Sequence, residues 1–589
     1  MNIFFKKYLY INLNDEIYEE FSIDEEILRS YGGGKGLGTY LLYNLNPVGV
    51  DPFDSDNHII INTGPADDLK VWGSSRFGIY TKSPLTNCYL DSTSGGHLSK
   101  YISRTGYDAI VIKGKSQSPV WLEITDENIG FHDASDLWGK DTYISEDTLK
   151  SKAGSDKCGA IVIGPAGENL CKFSLIENDY WRSLGRGGAG AVMGSKKIKG
   201  VVFYGNQRRQ AGNQEKIDEL YSYYRQKSKT DETVLKYRKY GTPAGVKLLN
   251  DKGAFPTKYW HKGVFEKNEN ITAEKMQEVL DVKPKACEKC FIACGKLSKT
   301  KEGSKYPGLV VEGPEYETIY ALGGLCCIDD IEDILYLNDL CDRYGIDTIT
   351  AGNIIAFAME ASSLGKTKEK YEYGNTKHAA DLIEKIVFKK GIGEVLSEGI
   401  VFASKYFGLE DLAIHNKGLE PAGYDPRMLP GTALGYAVSM RGGCHLRSGF
   451  YKAELSNYSK PEDLDDKAYH VADWEDRFCV QDTLIICRFF RDLYWWDETV
   501  ELFRVIYGDE SISKEELKDM SKRIHALAKK FNIRENPDNI DSLDKLPKRL
   551  FKEKLENGSV MNQNVFDKLK SEYYKLRGWD ERGIPVDNL

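Results

Sequence analysis

The feature that most limits how this chain can fold is a change of periodicity near residue 210. Before it, apolar residues come in short runs: His58–Asn62, Phe77–Thr81, Ala109–Lys113, Ala160–Gly164 and Gly200–Tyr204. Glycine and proline turns separate them, the pattern of strands joined by tight connections. Between the runs lie glycine-dense loops, Gly32–Gly38, Ser92–Gly96 and Gly185–Gly190, where backbone amides approach a ligand closely or adopt positive φ. After residue 210 the spacing turns helical over Lys216–Arg238, Ile331–Tyr344 and Asn353–Ser362. Ser513-Lys-Glu-Glu516 is a capping box, expected to open a helix through Lys530. The chain therefore reads as α+β: a β-rich N-terminal domain over 1–210, then two mainly α-helical domains over 211–415 and 416–589.

Its 589 residues are enough for three such domains. A hydrophobic content of 41% excludes a disordered chain, and a net charge of −9 argues against nucleic acid as a partner. No run reaches the ~18 apolar residues of a membrane span. The N-terminal MNIFFKKYLYINLNDE lacks the apolar core and cleavage site of a secretory signal. A cytoplasmic protein is expected, in which twelve cysteines are reduced and a cluster of them points to metal rather than disulfide.

Such a cluster exists in Cys287-x2-Cys290-x3-Cys294. Three thiols so close suit an iron–sulfur cluster. A zinc knuckle or coincident thiols are the other readings, although zinc normally draws a second CxxC or His pair at regular distance. A fourth ligand is needed, and Cys479 and Cys487 are both available. Asp342-Arg-Tyr-Gly-Ile-Asp347 and Asp482-Thr-Leu-Ile-Ile-Cys487 share a spacing, with an aspartate five positions before a second ligand-type residue. Such a carboxylate accepts hydrogen bonds from an amino-pyrimidine edge, though two ordinary helix ends are the plainer reading. Gly185-Arg-Gly-Gly-Ala-Gly190 matches G-x-G-x-x-G but has no clear βαβ context. A loop presenting Arg186 to a phosphate fits it better than a dinucleotide fingerprint. Glu317 and His445 are acid/base residue types whose neighbours do not by themselves single them out.

Together these segments resemble the tungsten-containing aldehyde:ferredoxin oxidoreductase family. The resemblance spans nearly the whole chain, from Tyr31-Gly-Gly-Gly-Lys-Gly-Leu-Gly38 and Gly73–Thr86 through Ser94-Gly-Gly96, Gly106–Ile110 and Gly185–Lys196. It continues in Gly253–Tyr259, the cysteine triplet, Gly313–Gly323, both aspartate motifs and Asp425-Pro-Arg427. It implies a tungsten (or molybdenum) bis-pterin beside one [4Fe–4S] cluster, at the junction of the domains, with Mg2+ bridging the pterin phosphates. By that resemblance Cys287, Cys290, Cys294 and Cys487 are the cluster ligands. Asp342 and Asp482 match the pterin-binding aspartates, with Ile346, Asp347 and Arg488 beside them. Arg76 matches the arginine between cluster and pterin. Gly95, Arg186, Gly187 and Ala189 match the loops around the pterin phosphates, and Glu317 and His445 the acid/base pair. Thr93 stands where the family often has Asn near the magnesium, and Ile485 where it often has Gly. Some members carry E-x-x-H motifs for an interface iron; this chain has none, so no interface iron is expected, and an oligomer is left open.

The activity implied is oxidation of a small aldehyde to its acid, with electrons leaving through the cluster to ferredoxin or an iron–sulfur partner subunit. Two other functions are compatible. One is a catalytic subunit of a class II benzoyl-CoA reductase, in which a thiol such as Cys326 reaches the metal, although core packing of Cys326-Cys327 is the plainer expectation. The other is a non-catalytic pterin relay, against which the presence of both Glu317 and His445 counts. The run Phe489-Phe490…Tyr494-Trp495-Trp496 is expected mainly in the core.

Overall fold

The computed structural model describes residues 2–456 and 458–586. Its N-terminal part is a pair of six-stranded mixed sheets. The first runs, edge to edge, Ile17–Ser22, Lys7–Asn12, Ala109–Lys113, Ile59–Thr63, Phe77–Lys82, Tyr89–Ser94. The second runs Arg182–Leu184, Ile176–Asn178, Gly159–Val162, Ile198–Phe203, Val120–Ile124, Ile129–Asp133. Each contains one parallel pair, Lys7–Asn12 with Ala109–Lys113 and Val120–Ile124 with Ile198–Phe203. The five apolar runs seen in the sequence are all strands, with ends moved by no more than two residues.

Side chains alternate across a strand, so each sheet presents two apolar faces to different neighbours. Leu9, Ile11, Ile59 and Ile61 join Leu122, Ile124, Ile161 and Val201 in one core shared by the sheets. The intervening Ile60, Tyr80, Tyr89 and Val111 belong to another, with Val471, Phe478, Ile524 and Phe531 of the helices Lys467–Thr483 and Lys514–Glu535. The start of the chain is thus packed on its far end. Each such isoleucine or leucine contributes about 1.5–3 kcal/mol on burial.

A third core gathers the middle of the chain around the helix Thr348–Ser363, which is buried from Ile349 to Ala361. It extends to Ala437 and takes in Leu546, Leu550, Met561 and Phe566.

Three local expectations are refined. Ser513 and Glu516 form the reciprocal box, with Ser513 Oγ accepting from Glu516 N at 3.2 Å and Glu516 Oε2 from Ser513 N at 2.8 Å, and the helix runs on to Glu535. The pattern over Lys216–Arg238 is two helices, Gln214–Lys227 and Glu232–Tyr240, because Asp231 caps the second by accepting from Val234 N at 2.9 Å. The helical part also contains a three-stranded antiparallel sheet, Leu280–Lys285, Gly295–Thr300, Val310–Glu312. Lys-Pro-Lys conceals the first strand in the sequence; Pro284 is tolerated there because the strand is at an edge. Lys285 pairs with Gly295, so residues 286–294 become the hairpin loop, and this loop carries the cysteine triplet.

Candidate active site

Three adjoining cavities lie where the sheets meet the helices. The first, about 220 Å³, is lined by Cys287, Cys290 and Cys294 of the hairpin loop, by Cys487, and by Arg76, Thr93 and Gly95 of the first sheet. Cys487 lies at the end of the turn that follows the helix Lys467–Thr483, and its N–H donates to Gly73 O at 2.8 Å, tying that turn to the sheet. Cys479, the other candidate for a fourth ligand, is buried elsewhere and lines none of the three. Gly95 is required by close approach: a Cβ there would lie 2.9 Å from Cys287 Sγ and 3.2 Å from Arg76 Nη1. Arg76 Nη2 donates to Thr93 O at 2.9 Å and to Thr93 Oγ1 at 3.0 Å, so Thr93 orients the arginine. Burial, reinforced by the neighbouring Cys487 and Cys287, pushes the Cys290 thiol up to about 12. Burial, with Glu315 and Cys487 beside it, raises Cys294 still further. Among the described residues no three His, Cys, Asp or Glu side chains converge as they would around a single metal ion. The four thiols face a cavity instead.

The second cavity, about 240 Å³, is lined by Arg186, Arg441, Arg447, Asp342, Asp347, Glu317 and His445. Arg186 Nε donates to Asp347 Oδ2 at 3.1 Å, and its Nη atoms reach the carbonyls of Gly443 and Glu420. Asp347 also caps the helix Thr348–Ser363, accepting from Ile349 N and Thr350 N. Asp342 accepts from Asn338 Nδ2 at 2.7 Å, and burial together with Asp339 holds its carboxyl well above the usual range. Among the described residues the Nε atoms of Arg441 and Arg447 have no hydrogen-bond partner. Sequence reasoning gave neither arginine a role, although both flank His445 within four residues.

Glu317 and His445 also line the third and largest cavity, about 500 Å³, whose walls include Tyr237, Tyr424, Tyr451 and Phe489. Glu317 sits in the turn Tyr316–Thr318, just before a π-helical stretch, Ile319–Leu325, a departure that often marks functional sites. Its Oε2 accepts from Gly423 N at 3.0 Å, and its Oε1 lies 3.5 Å from His445 Nε2. Burial pushes Glu317 up to about 8 against the opposing pull of Gly423 N–H and Arg186. Burial holds His445 neutral, with Arg186, Arg441, Arg491 and Arg447 disfavouring its charged form further. The pair is therefore one carboxyl able to exchange a proton near neutrality and one uncharged imidazole.

Other named residues stand back from the cavities. Gly187 gives its carbonyl to Ser83 Oγ at 2.7 Å, Ala189 is in the core between the sheets, and Ile346 is in the middle core. Asp482 lines none of the three; it accepts from Arg488 Nη2 at 2.8 Å and from Arg447 Nη1 at 3.3 Å. Arg488 lines the largest. Of the aromatic run, Phe489 lines two cavities, whereas Phe490, Tyr494 and Trp496 are core residues. Cys326 is buried with Sγ donating to Ala321 O at 3.5 Å and Gly352 O at 3.4 Å, away from all three.

Comparison with known proteins decides the family. Residues 8–205 match the N-terminal domain of aldehyde ferredoxin oxidoreductase and residues 219–588 match its domains 2 and 3. The chain belongs to the aldehyde ferredoxin oxidoreductase family, a family of oxidoreductases. It is 34% identical to the tungsten-containing aldehyde ferredoxin oxidoreductase of Pyrococcus furiosus, an alignment covering 99% of this chain and 98% of that one. It is 29% identical to an aliphatic sulfonate oxidoreductase, WOR-like subunit, of the same organism, covering 99% of this chain and 96% of the relative. Among solved structures, the active site complex BamBC of benzoyl coenzyme A reductase shares the fold, with a TM-score of 0.84 at 22% identity over 99% of this chain and 96% of that one. No helix among the described residues is long and apolar enough to cross a membrane.

Proposed function

We propose that this chain oxidises an aldehyde to its carboxylic acid at a tungsten (or molybdenum) bis-pterin, and passes the electrons through a [4Fe–4S] cluster to ferredoxin or an iron–sulfur partner subunit. The observation that carries this reading is the Glu317–His445 pair, which lines both the second and third cavities, with Cys487 also on the wall of the third. The donor sets suit the groups. The unpartnered Nε atoms of Arg441 and Arg447, with Arg186, fit the anionic phosphates of a pterin, and Asp342 and Asp347 fit its amino-pyrimidine edge. Four thiols lining one cavity fit a [4Fe–4S] cluster, which takes four thiolates. Thr93, which lines both the thiol cavity and the arginine cavity, would help hold a Mg2+ bound with the pterin.

When bound, the metal centre supplies a two-electron acceptor and the cluster a one-electron exit. The chain's own contribution is proton and charge management. Water adds to the formyl carbon, two electrons and two protons leave, and the acid is released. Glu317, once deprotonated, takes the proton of the attacking water, while the neutral His445 donates its N–H to the carbonyl oxygen. Glu317 must be ionised to act, and burial raises it to about 8, so kcat should climb as pH rises toward that value. Glu317→Gln should retain tungsten and iron and lose turnover; near wild-type rates would overturn the assignment. A non-catalytic relay has no need of this pair, so that reading loses support. The reductase alternative keeps the support of a shared fold, although Cys326, lying in the core, offers it no metal ligand.

A further inference from the structure

The wall of the largest cavity carries a buried cation, Arg491, apart from the acid/base pair and the thiols. Arg491 is under 2% exposed, one of the largest fully buried side chains in the molecule. Its Nη1 donates to Arg488 O at 3.1 Å and its Nη2 reaches Tyr237 OH at 3.4 Å; among the described residues its Nε has no partner. No carboxylate pairs with it among the described residues: the adjacent Asp492 is bound to Lys452. The other arginines on these walls are already employed. Arg488 pairs with Asp482, and Arg76 is bonded to Thr93 and also faces the thiol cavity. A buried guanidinium that touches no carboxylate is costly to desolvate; Asp492 offsets this only from a distance, and an anion in the cavity would complete the site.

The surroundings of Arg491 indicate what carries that anion. Its guanidinium carbon lies 5.7 Å from the centre of the Phe489 ring and 5.9 Å from that of Tyr451. Tyr451 in turn stacks on Tyr424 at 3.9 Å, and Tyr424 lies 5.6 Å from the His445 ring. A wall of aromatic faces thus leads from the unpaired arginine to the acid/base pair, and the charge of Arg491 is felt at His445. Flat aromatic substrates suit such a wall.

We propose that Arg491 is the anion subsite of this cavity, and that the preferred substrate is an aryl aldehyde bearing a carboxylate or similar acidic group on its ring. The acidic group pairs with Arg491, the ring lies against Phe489, Tyr451 and Tyr424, and the formyl carbon faces Glu317 and His445. The proposal rests on the aldehyde-oxidising reading above.

The test uses the purified holoenzyme and a viologen dye as acceptor, with 4-carboxybenzaldehyde and its neutral near-isostere 4-methylbenzaldehyde as competing probes. The wild-type kcat/KM should favour the carboxylate by about 30-fold or more, and Arg491→Met should collapse that ratio to near one, as expected when one partner of a buried charge pair is removed. Arg491→Lys should restore only part of the preference, since it keeps the charge but loses the planar fork. Equal use of both probes by the wild type, or a ratio unchanged in Arg491→Met, would overturn the proposal. Should Arg491→Met fail to fold, the Lys variant is read by inhibition with benzene-1,4-dicarboxylate against 4-methylbenzoate. Preference for the dicarboxylate that weakens in the Lys variant upholds the subsite; no preference in the wild type sinks it. If neither aldehyde is oxidised, the functional reading falls, while calorimetric titration of the same two acids still decides whether Arg491 binds an anion.

Discussion

The segments Asp342–Asp347 and Asp482–Cys487 make the same backbone turn in two different chemical settings. Each ends a helix, Ile331–Tyr344 or Lys467–Thr483, and each then places a left-handed residue three positions after its aspartate. In the first that residue is Gly345, at φ +74°; in the second it is Ile485, at φ +51°. A β-branched residue in that region is strained by about 1–3 kcal/mol, so the second turn is held by its surroundings. Ile485 is buried, and Cys487 is anchored to Gly73 O. The aspartates differ as well. Asp342 takes its side-chain hydrogen bond from the Asn338 amide and has a raised carboxyl, whereas Asp482 is clasped by two arginines. The last residues differ in kind: Asp347 is tied to Arg186 in the cavity of arginines, and Cys487 faces the thiols. A shared turn therefore sets where a residue sits, while its neighbours set what it does.

That contrast can be broken at each point. The largest effect is expected from Cys487→Ser, which should lower iron content and cut turnover by about 100-fold or more; full iron and activity would remove Cys487 from the ligand set. Next is Asp482→Asn. It leaves Arg447 and Arg488 without their shared buried carboxylate, and a loss of about 3–5 kcal/mol is expected in denaturant unfolding. Gly345→Ala comes third. Its Cβ would stand 3.0 Å from Gly164 N at a positive φ, and calorimetry should show a loss of about 1–2 kcal/mol.

Asp342→Asn should be the mildest. The raised carboxyl favours the protonated form in the folded protein, so its contribution is complete below the ordinary aspartate range and is lost as pH rises above it. In cofactor-free protein the Asn variant should cost less than about 1 kcal/mol, or stabilise, and should flatten the fall of stability with pH. A loss as large as that of Asp482→Asn would erase the distinction between the two turns.

The strands and the long helices were legible because their periods are physical. Phe77–Lys82 and Ile331–Tyr344 follow directly from spacing. The hairpin strand Leu280–Lys285 was not: Leu280 and Val282 do alternate with Asp281 and Lys283, but Pro284 cuts short a run too brief to stand out. The break at Asp231 was missed because a cap competes with a pattern that continues through it. Around the site, the motif residues Glu317, Asp342 and His445 come to one cavity. Arg491 did not stand out: a single arginine has no period, and its meaning lies in the absence of a carboxylate opposite it in space.

The hairpin loop also bears on how the protein is made. Its three thiols leave the ribosome together, yet Cys487 follows nearly 200 residues later. At ~5–20 residues per second, the nascent chain would expose three quarters of the proposed cluster site for about 10–40 s. During that interval the thiols could be captured by stray metal or oxidised, while the C-terminal helices that close the site are still being synthesised. Cluster loading would then be a late event, gated by the end of translation.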